Sequence, residues 1–346
     1  MRKVLNIKYP TITTYTQHAH LLAILENESR AKPWIYSNYI QIYANKDLNI
    51  NNWADFYFPM PYEIRPFELC KWIEVQKNSE EYVDSNHESI IEYVSKMIDR
   101  NYYVHMMINY KYLAGSRFSK RNRDRKHDVL IYGYDNEKEL LYCADFMFDK
   151  SKYSFGECTF SELISAYNND IVKKDSSYLN HYIYSYKVKA DCDYEYHLNN
   201  IVFWIRQYIS GESPEYWNGF NYCNKKNILW GINYYDALWQ SLLTLSDEGI
   251  DVRFYYLLKD HKKIMKDRLL FLEYFIPQMG EYIREYEKIY YNIALIVNMV
   301  IKYNITNEKV LVKKIIDKLK ETKNIEYKIL EEAISYLVSA NTEDKA

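Results

Sequence analysis

The sequence predicts an α+β domain followed by an all-helical one, and three features carry that prediction. Runs rich in β-branched and aromatic residues, at Tyr102–Asn109, Val129–Tyr134 and Glu139–Phe146, read as strands in the first half. From about residue 176 onward the apolar residues recur at spacings of three and four, the period of helices that pack along one face. The 346 residues are 48% hydrophobic and 27% charged with 8 Gly and 7 Pro, a composition that builds packed cores and excludes a linker-rich chain. The expected division is an α+β domain over 1–175 and a helical domain over 176–346.

The elements follow in order. An apolar-periodic stretch from His20 to Glu28, with its start near Tyr15, reads as the first helix, and irregular aromatic-rich segments follow it. Cys70 precedes Lys71-Trp72-Ile73 in a stretch that reads as helical. A helix is expected over Glu88–Arg100, where Ile90, Ile91, Val94, Met97 and Ile98 share one face. The three strand-like runs come next. In the second half, Leu198–Tyr208, Tyr234–Leu245, Val252–Phe275, Tyr282–Tyr303 and Lys309–Leu319 each carry the helical period. Pro277 closes one of them and Gly211–Pro214 separates two others.

Charge and composition narrow the function. The formal net charge is −2, so no global attraction to nucleic acid or to a membrane surface is expected. No run of about 18 apolar residues exists that would span a bilayer. The N-terminus turns polar before a secretory h-region forms. The five cysteines (Cys70, Cys143, Cys158, Cys192, Cys223) are odd in number and contain no CxxC pair, which argues against a disulfide framework or a structural zinc site and for reduced thiols in the cytoplasm. The 39 tyrosines, with abundant Asn, Ile and Lys, read as a compositional bias and not as an aromatic binding surface. Neither GxGxxG nor GxxxxGK[ST] is present, so no phosphate-cradling loop and no cofactor are expected. His18 and His20 are spaced so that both cannot face one metal from a helix, and no metal site is expected. His87, His105, His181 and His197 belong to no recognisable constellation. His261, with Asp260, Arg253 and Arg268, has the spacing of surface ion pairs.

One hairpin carries chemistry. His127-Asp128-Val129-Leu130-Ile131-Tyr132-Gly133-Tyr134 and Glu139 to Phe146 flank a polar turn at Asp135–Lys138. A turn centred between Asn136 and Glu137 sets His127 nearly opposite Asp145, with Cβ atoms about 5 Å apart on one face. A carboxylate beside an imidazole fixes its tautomer and supports its positive charge, as a catalytic base requires. An ordinary polar cross-strand pair has the same pattern.

His127, Gly133-Tyr134-Asp135 and Asp145 together resemble papain-like cysteine peptidases of the bacteriocin-leader type, over roughly residues 10–175. The resemblance is closer to their acyltransferase relatives, the butirosin-pathway type that moves an acyl group from a carrier-protein thioester to an amine. The helical half is similar to proteins of nonribosomal natural-product assembly lines, through Trp230-Gly231-Ile232-Asn233-Tyr234-Tyr235-Asp236 and Asp251-Val252-Arg253 to Asp260-His261-Lys262-Lys263. The resemblance implies a papain-like fold, an acyl carrier protein and a small amine or diamine as partners, and a cysteine nucleophile activated by His127 and oriented by Asp145.

The resemblance places that nucleophile at the start of the first helix, after His18, where this chain has Ala19. Three readings stay open: an active form with Cys at position 19 that Ala inactivates, a natural protein that binds acyl groups without chemistry, or another thiol in the role. A cysteine peptidase or amidase is the alternative within the same resemblance. The implied oxyanion hole needs the backbone N–H of residue 19 and a side-chain donor, with Thr13 or Gln17 the nearest candidates. Just before His127, Arg117, Lys120, Arg121, Arg123, Arg125 and Lys126 form a basic segment. It reads as a solvated loop or as a dock for an acidic carrier and the phosphate of its pantetheine arm.

Overall fold

The strand-forming runs of the first half pair into one sheet. Its strands are β1 (Arg2–Val4), β2 (Ile73–Ser79), β3 (Tyr103–Asn109), β4 (Lys126–Asp135), β5 (Leu140–Asp149), β6 (Lys152–Thr159) and β7 (Tyr182–Val188). The order is β2-β7-β3-β4-β5-β6, with β1 pairing the end of β4, and every neighbouring pair is antiparallel. These strands are seen in a computed structural model that describes residues 1–50, 52–58, 66–149, 152–173, 182–214, 227–245, 249–274 and 276–343, without the side chains of 147, 149 and 340–343.

The chain divides into two compact units, Met1–Ala31 with Tyr62–Tyr194 and Lys32–Pro61 with Glu195–Ala346. The α+β class, the antiparallel sheets and the helical C-terminal region agree with the sequence. The two units do not meet at one cut near residue 175, because the segment from Lys32 to Pro61 belongs with the helices.

In the first unit, α1 (Thr16–Leu25), α2 (Ile90–Asp99) and α3 (Phe160–Tyr167) cover the sheet. Ser89 caps α2 by accepting from the Glu92 N–H, and Thr159 and Glu162 form a capping box on α3. Ile90, Tyr93, Val94, Met97 and Ile98 of α2, with Leu163, Ala166 and Tyr167 of α3, share one core with Val104, Met106, Ile108, Val129, Ile131 and Cys143 of the sheet. Full burial of each Val, Leu, Ile or Met among them stabilises by about 1.5–3 kcal/mol. Strand alternation turns Asp128 and Leu130 to the other face. There lies α1, whose residues His18 to Leu25 are all buried. Such burial on every side explains why its one-sided periodicity is weak.

The hairpin register differs from the expected one. β4 carries an irregularity between Ile131 and Gly133, so Leu130 pairs Ala144 while Gly133 pairs Tyr142. Asp145 therefore follows one step beyond Ala144, opposite Val129, and stands diagonal to His127. Gly133 is required by packing: a Cβ there would lie 2.8 Å from the Lys3 carbonyl oxygen and 2.9 Å from Val4 Cα of β1. Asp135 Oδ1 accepts the Glu137 N–H at 3.1 Å and holds the turn. The Tyr134 hydroxyl donates to Asp99 of α2 at 2.7 Å. The Gly-Tyr-Asp run is thus accounted for by architecture. Two further expectations change. Cys70 follows a one-turn helix (Pro66–Leu69) and Ile73 opens β2, so that stretch is not a continuous helix. The basic segment holds a short helix, Arg117–Lys120, capped by Ser116.

The second unit carries a small sheet in which Ile42–Asn45 lies between Ile228–Trp230 and Ala54–Phe56. Its helices are α4 (Leu198–Ser210), α5 (Tyr234–Leu243), α6 (Arg253–Glu273), α7 (Gly280–Thr306) and α8 (Lys309–Glu343). α8 runs well past the expected end at Leu319. The buried positions of its stripe continue through Thr322 and Glu326 to Leu330 and Leu337, and the two polar residues interrupt the apolar period without ending the helix. The expectation of surface ion pairs on α6 is corrected: His261, Lys262 and Arg268 are fully buried and Asp260 nearly so, while Arg253 pairs with Asp251 in the open. Arg268 is satisfied by the carbonyls of Tyr36 at 2.7 Å and Asn38 at 2.5 Å. Lys262 Nζ donates to Glu326 at 2.7 Å and to the Tyr208 hydroxyl at 2.6 Å. Among the described residues, no helix is long and apolar enough to cross a membrane.

Candidate active site

The end of the hairpin assembles a polar group around His127. The imidazole is partly exposed, at 28%, and Asp145 is fully buried. His127 Nδ1 lies 3.5 Å from Asp145 Oδ1, 3.2 Å from Asp128 Oδ1 and 2.8 Å from the Tyr110 hydroxyl. Tyr110 also donates to Asp145 Oδ2, so it joins the two predicted residues as well as touching each. With Nδ1 occupied by these groups, Nε2 is the ring nitrogen turned away from the carboxyls and placed to exchange a proton.

The two carboxyl groups differ. Burial pushes the Asp145 carboxyl well above the usual range, opposed by the Phe146 N–H, which bonds Oδ1 at 2.6 Å. Burial acts the same way on Asp128, yet the hydrogen bond from His105 and the charges of His127, His105 and His20 outweigh it and hold its carboxyl well below the usual range. The anion beside His127 is therefore Asp128, a residue the sequence pattern passed over. Asp145 acts on the ring chiefly through Tyr110, whose hydroxyl bonds both the carboxyl and the imidazole.

Ala19 is fully buried in α1. Its N–H bonds the Tyr15 carbonyl at 3.0 Å, so it is not the free oxyanion donor the resemblance implied. Thr13 is half-buried in the segment leading to α1. Gln17 sits in the first turn, where its amide meets His18 Nε2 at 3.4 Å, and His18 is buried. The Thr16 hydroxyl donates to Asp128 Oδ1 at 2.8 Å and brings the first turn of α1 to the start of β4. Arg117, Lys120, Arg121, Arg123 and Arg125 are exposed, whereas Lys126 is half-buried and reaches the Val172 carbonyl at 3.4 Å.

Cys143, Cys70 and Cys192 are held in the thiol form. Cys143 lies 3.6 Å from Cys158, and that contact together with burial raises its pKa well above the ordinary value. Burial also raises Cys70 and Cys192. Cys223 and His181 lie outside the described residues.

On the opposite face of the sheet a second group forms that sequence reasoning missed. His105 Nε2 lies 2.8 Å from Asp128 Oδ2, and its Nδ1 lies 3.0 Å from the Tyr186 hydroxyl. His20 stands beside it, ring to ring at 5.1 Å, with Nδ1 at 2.9 Å from the Tyr153 hydroxyl. The ligand atoms of His20, His105 and Asp128 lie within 4.8 Å of one another. The signal that remained in the sequence was the lone His105 in an apolar strand, but its partners come from α1 and β4. No family model and no curated protein matches this chain, so the arrangement is interpreted on its own geometry.

Proposed function

We propose that this chain is a papain-like acyl-transfer protein of carrier-protein assembly lines, present here in a form that binds without turning over. The observation that carries the reading is His127 held by Asp145 and Tyr110 at the hairpin end, beside the first turn of the helix that bears residue 19. With cysteine at that position, the thiolate attacks the carbonyl of a carrier-bound thioester. The imidazolium of His127 returns a proton to the departing pantetheine thiol. An amine then attacks the acyl-enzyme, its proton passes to His127, and the cysteine leaves as an amide forms. Ala19 supplies no nucleophile, so the chain as it stands holds the carrier and its acyl group. The exposed arginines and lysine of the basic segment offer the charge that an acidic carrier would meet.

The full burial of Ala19 and the engagement of its N–H favour a second reading, a scaffold that binds the carrier in every form. Ala19→Cys, incubated with acyl-loaded carrier and followed by intact mass, separates the two. An adduct that His127→Ala slows and an added amine discharges establishes acyl transfer. Discharge as fast by water alone identifies a peptidase or amidase. Carrier binding with no adduct identifies the scaffold, and absence of both overturns the reading.

A further inference from the structure

We propose that His20, His105 and Asp128 form a binding site for one divalent first-row transition-metal ion of the zinc type. The three ligand atoms already face one another within 4.8 Å, from α1, β3 and β4, and all three residues are buried. Two imidazoles and one carboxylate are a common donor set for such ions. Ligand bonds of about 2.0–2.2 Å place neighbouring donors roughly 3.4 Å apart in a tetrahedron. The His105–Asp128 pair, at 2.8 Å, is already closer than that. His20 closes the remaining gap through a side-chain shift on the order of 1 Å.

The groups behind the donors strengthen the case. A metal-binding histidine characteristically gives its other ring nitrogen to a hydrogen-bond partner that fixes the tautomer. Here the Nδ1 of His20 meets Tyr153 and the Nδ1 of His105 meets Tyr186, so Nε2 is the coordinating atom in both rings. Thr16 holds Asp128 Oδ1, which leaves Oδ2 aimed at His105. Every proposed ligand thus has its own orienting hydroxyl. Without metal, Nε2–H of His105 donates to Asp128. When the ion binds, that ring proton moves to Nδ1, where the Tyr186 oxygen accepts it. Two neutral imidazoles and one carboxylate leave a divalent ion with one net positive charge and an open position, which suits water or an anionic oxygen ligand.

The site shares Asp128 and Thr16 with the surroundings of His127, but it is tested without any acyl donor, so its failure is distinct from a failure of the acyl-transfer reading. The full chain, stripped with a chelator, is dialysed against zinc and analysed for bound metal, and against cobalt for its visible spectrum. One tightly held equivalent with a tetrahedral cobalt spectrum is expected, lost in His20→Gln and His105→Gln. Tyr186→Phe and Tyr153→Phe keep the ligands and weaken binding by about 10- to 100-fold. No stoichiometric uptake overturns the proposal. So does uptake unchanged in the two Gln variants, which assigns the metal to surface groups such as His87 with Glu92. If the Gln variants fail to fold, unchanged affinity in both Phe variants overturns it as well.

Discussion

Replacing Lys262 with methionine removes the ammonium from a fully buried polar group. Its Nζ lies 2.7 Å from Glu326 Oε1, 2.6 Å from the Tyr208 hydroxyl and 3.1 Å from His261 Nδ1. Glu326 in turn accepts from Tyr208 at 3.2 Å, Tyr235 at 2.7 Å and Tyr286 at 2.5 Å. Breaking a buried pair by deleting one partner costs about 3–5 kcal/mol, because the surviving charge is left in a poor solvent. Glu326 retains three hydroxyl donors after the change, which places the expected loss for Lys262→Met near the lower end, about 3 kcal/mol. Glu326→Gln in that background removes the stranded charge and keeps an acceptor oxygen. The double variant is therefore expected to be more stable than Lys262→Met alone, by on the order of 2 kcal/mol. Urea unfolding followed by far-UV circular dichroism, dominated by the long helices, measures both. A single-variant loss below about 1 kcal/mol, or a double variant no better than the single, would refute the claim that charge burial governs this cluster.

The same helices predict behaviour at high pH. Tyr208, Tyr235 and Tyr286 have pKa values raised well above 10.0, by burial first and then by Glu326. Above pH 10 the unfolded tyrosines release protons that the folded ones keep, so stability is present below that pH and lost above it. The three together approach a fall of about 4 kcal/mol per pH unit. Burial lowers Lys262 from 10.5 to about 8, and the unfolded lysine keeps its proton longer, so its own contribution rises across that window. Denaturation midpoints measured from pH 8 to 11 should rise or hold to about pH 10 and then drop steeply. At the hairpin, Gly133→Ala drives a Cβ into the β1 backbone and is expected to cost about 1–3 kcal/mol. Amide exchange should speed up at Leu5, whose N–H bonds the Tyr132 carbonyl, and unchanged protection there would count against the close-approach argument.

Local pattern revealed α2 through its one wet and one dry face. Strands β3 and β4 are buried on both faces, and their runs of β-branched and aromatic residues revealed them instead. The His127–Asp145 association was also visible from the hairpin. Its register was not, because an irregularity beside Tyr132 leaves no mark in composition. α8 was cut short where Thr322 and Glu326 replace apolar residues on its buried stripe. The charged residues of α6 read as a wet face because their partners, Tyr208 and Glu326, lie on other helices. Asp128 and Tyr110 were hidden for a similar reason: their roles depend on His105 and on a turn after β3, brought to β4 by strand pairing. Distance along the chain, more than residue type, separates the legible part of the site from the rest.

The interleaving of the two units has a consequence for synthesis. Strand Ile42–Asn45 leaves the ribosome early, but its partner Ile228–Trp230 follows only after roughly 180 more residues, a wait on the order of 10–40 s at bacterial to eukaryotic elongation rates. Met1–Ala31 and Tyr62–Tyr194 are therefore made while the excursion between them has only its own Ala54–Phe56 to pair with Ile42–Asn45, and the other edge of that strand stays open. Such a transiently unsatisfied edge is where a ribosome-bound chaperone would act. Slowing translation between the two strands would lengthen its exposure and raise the fraction of chains lost to aggregation.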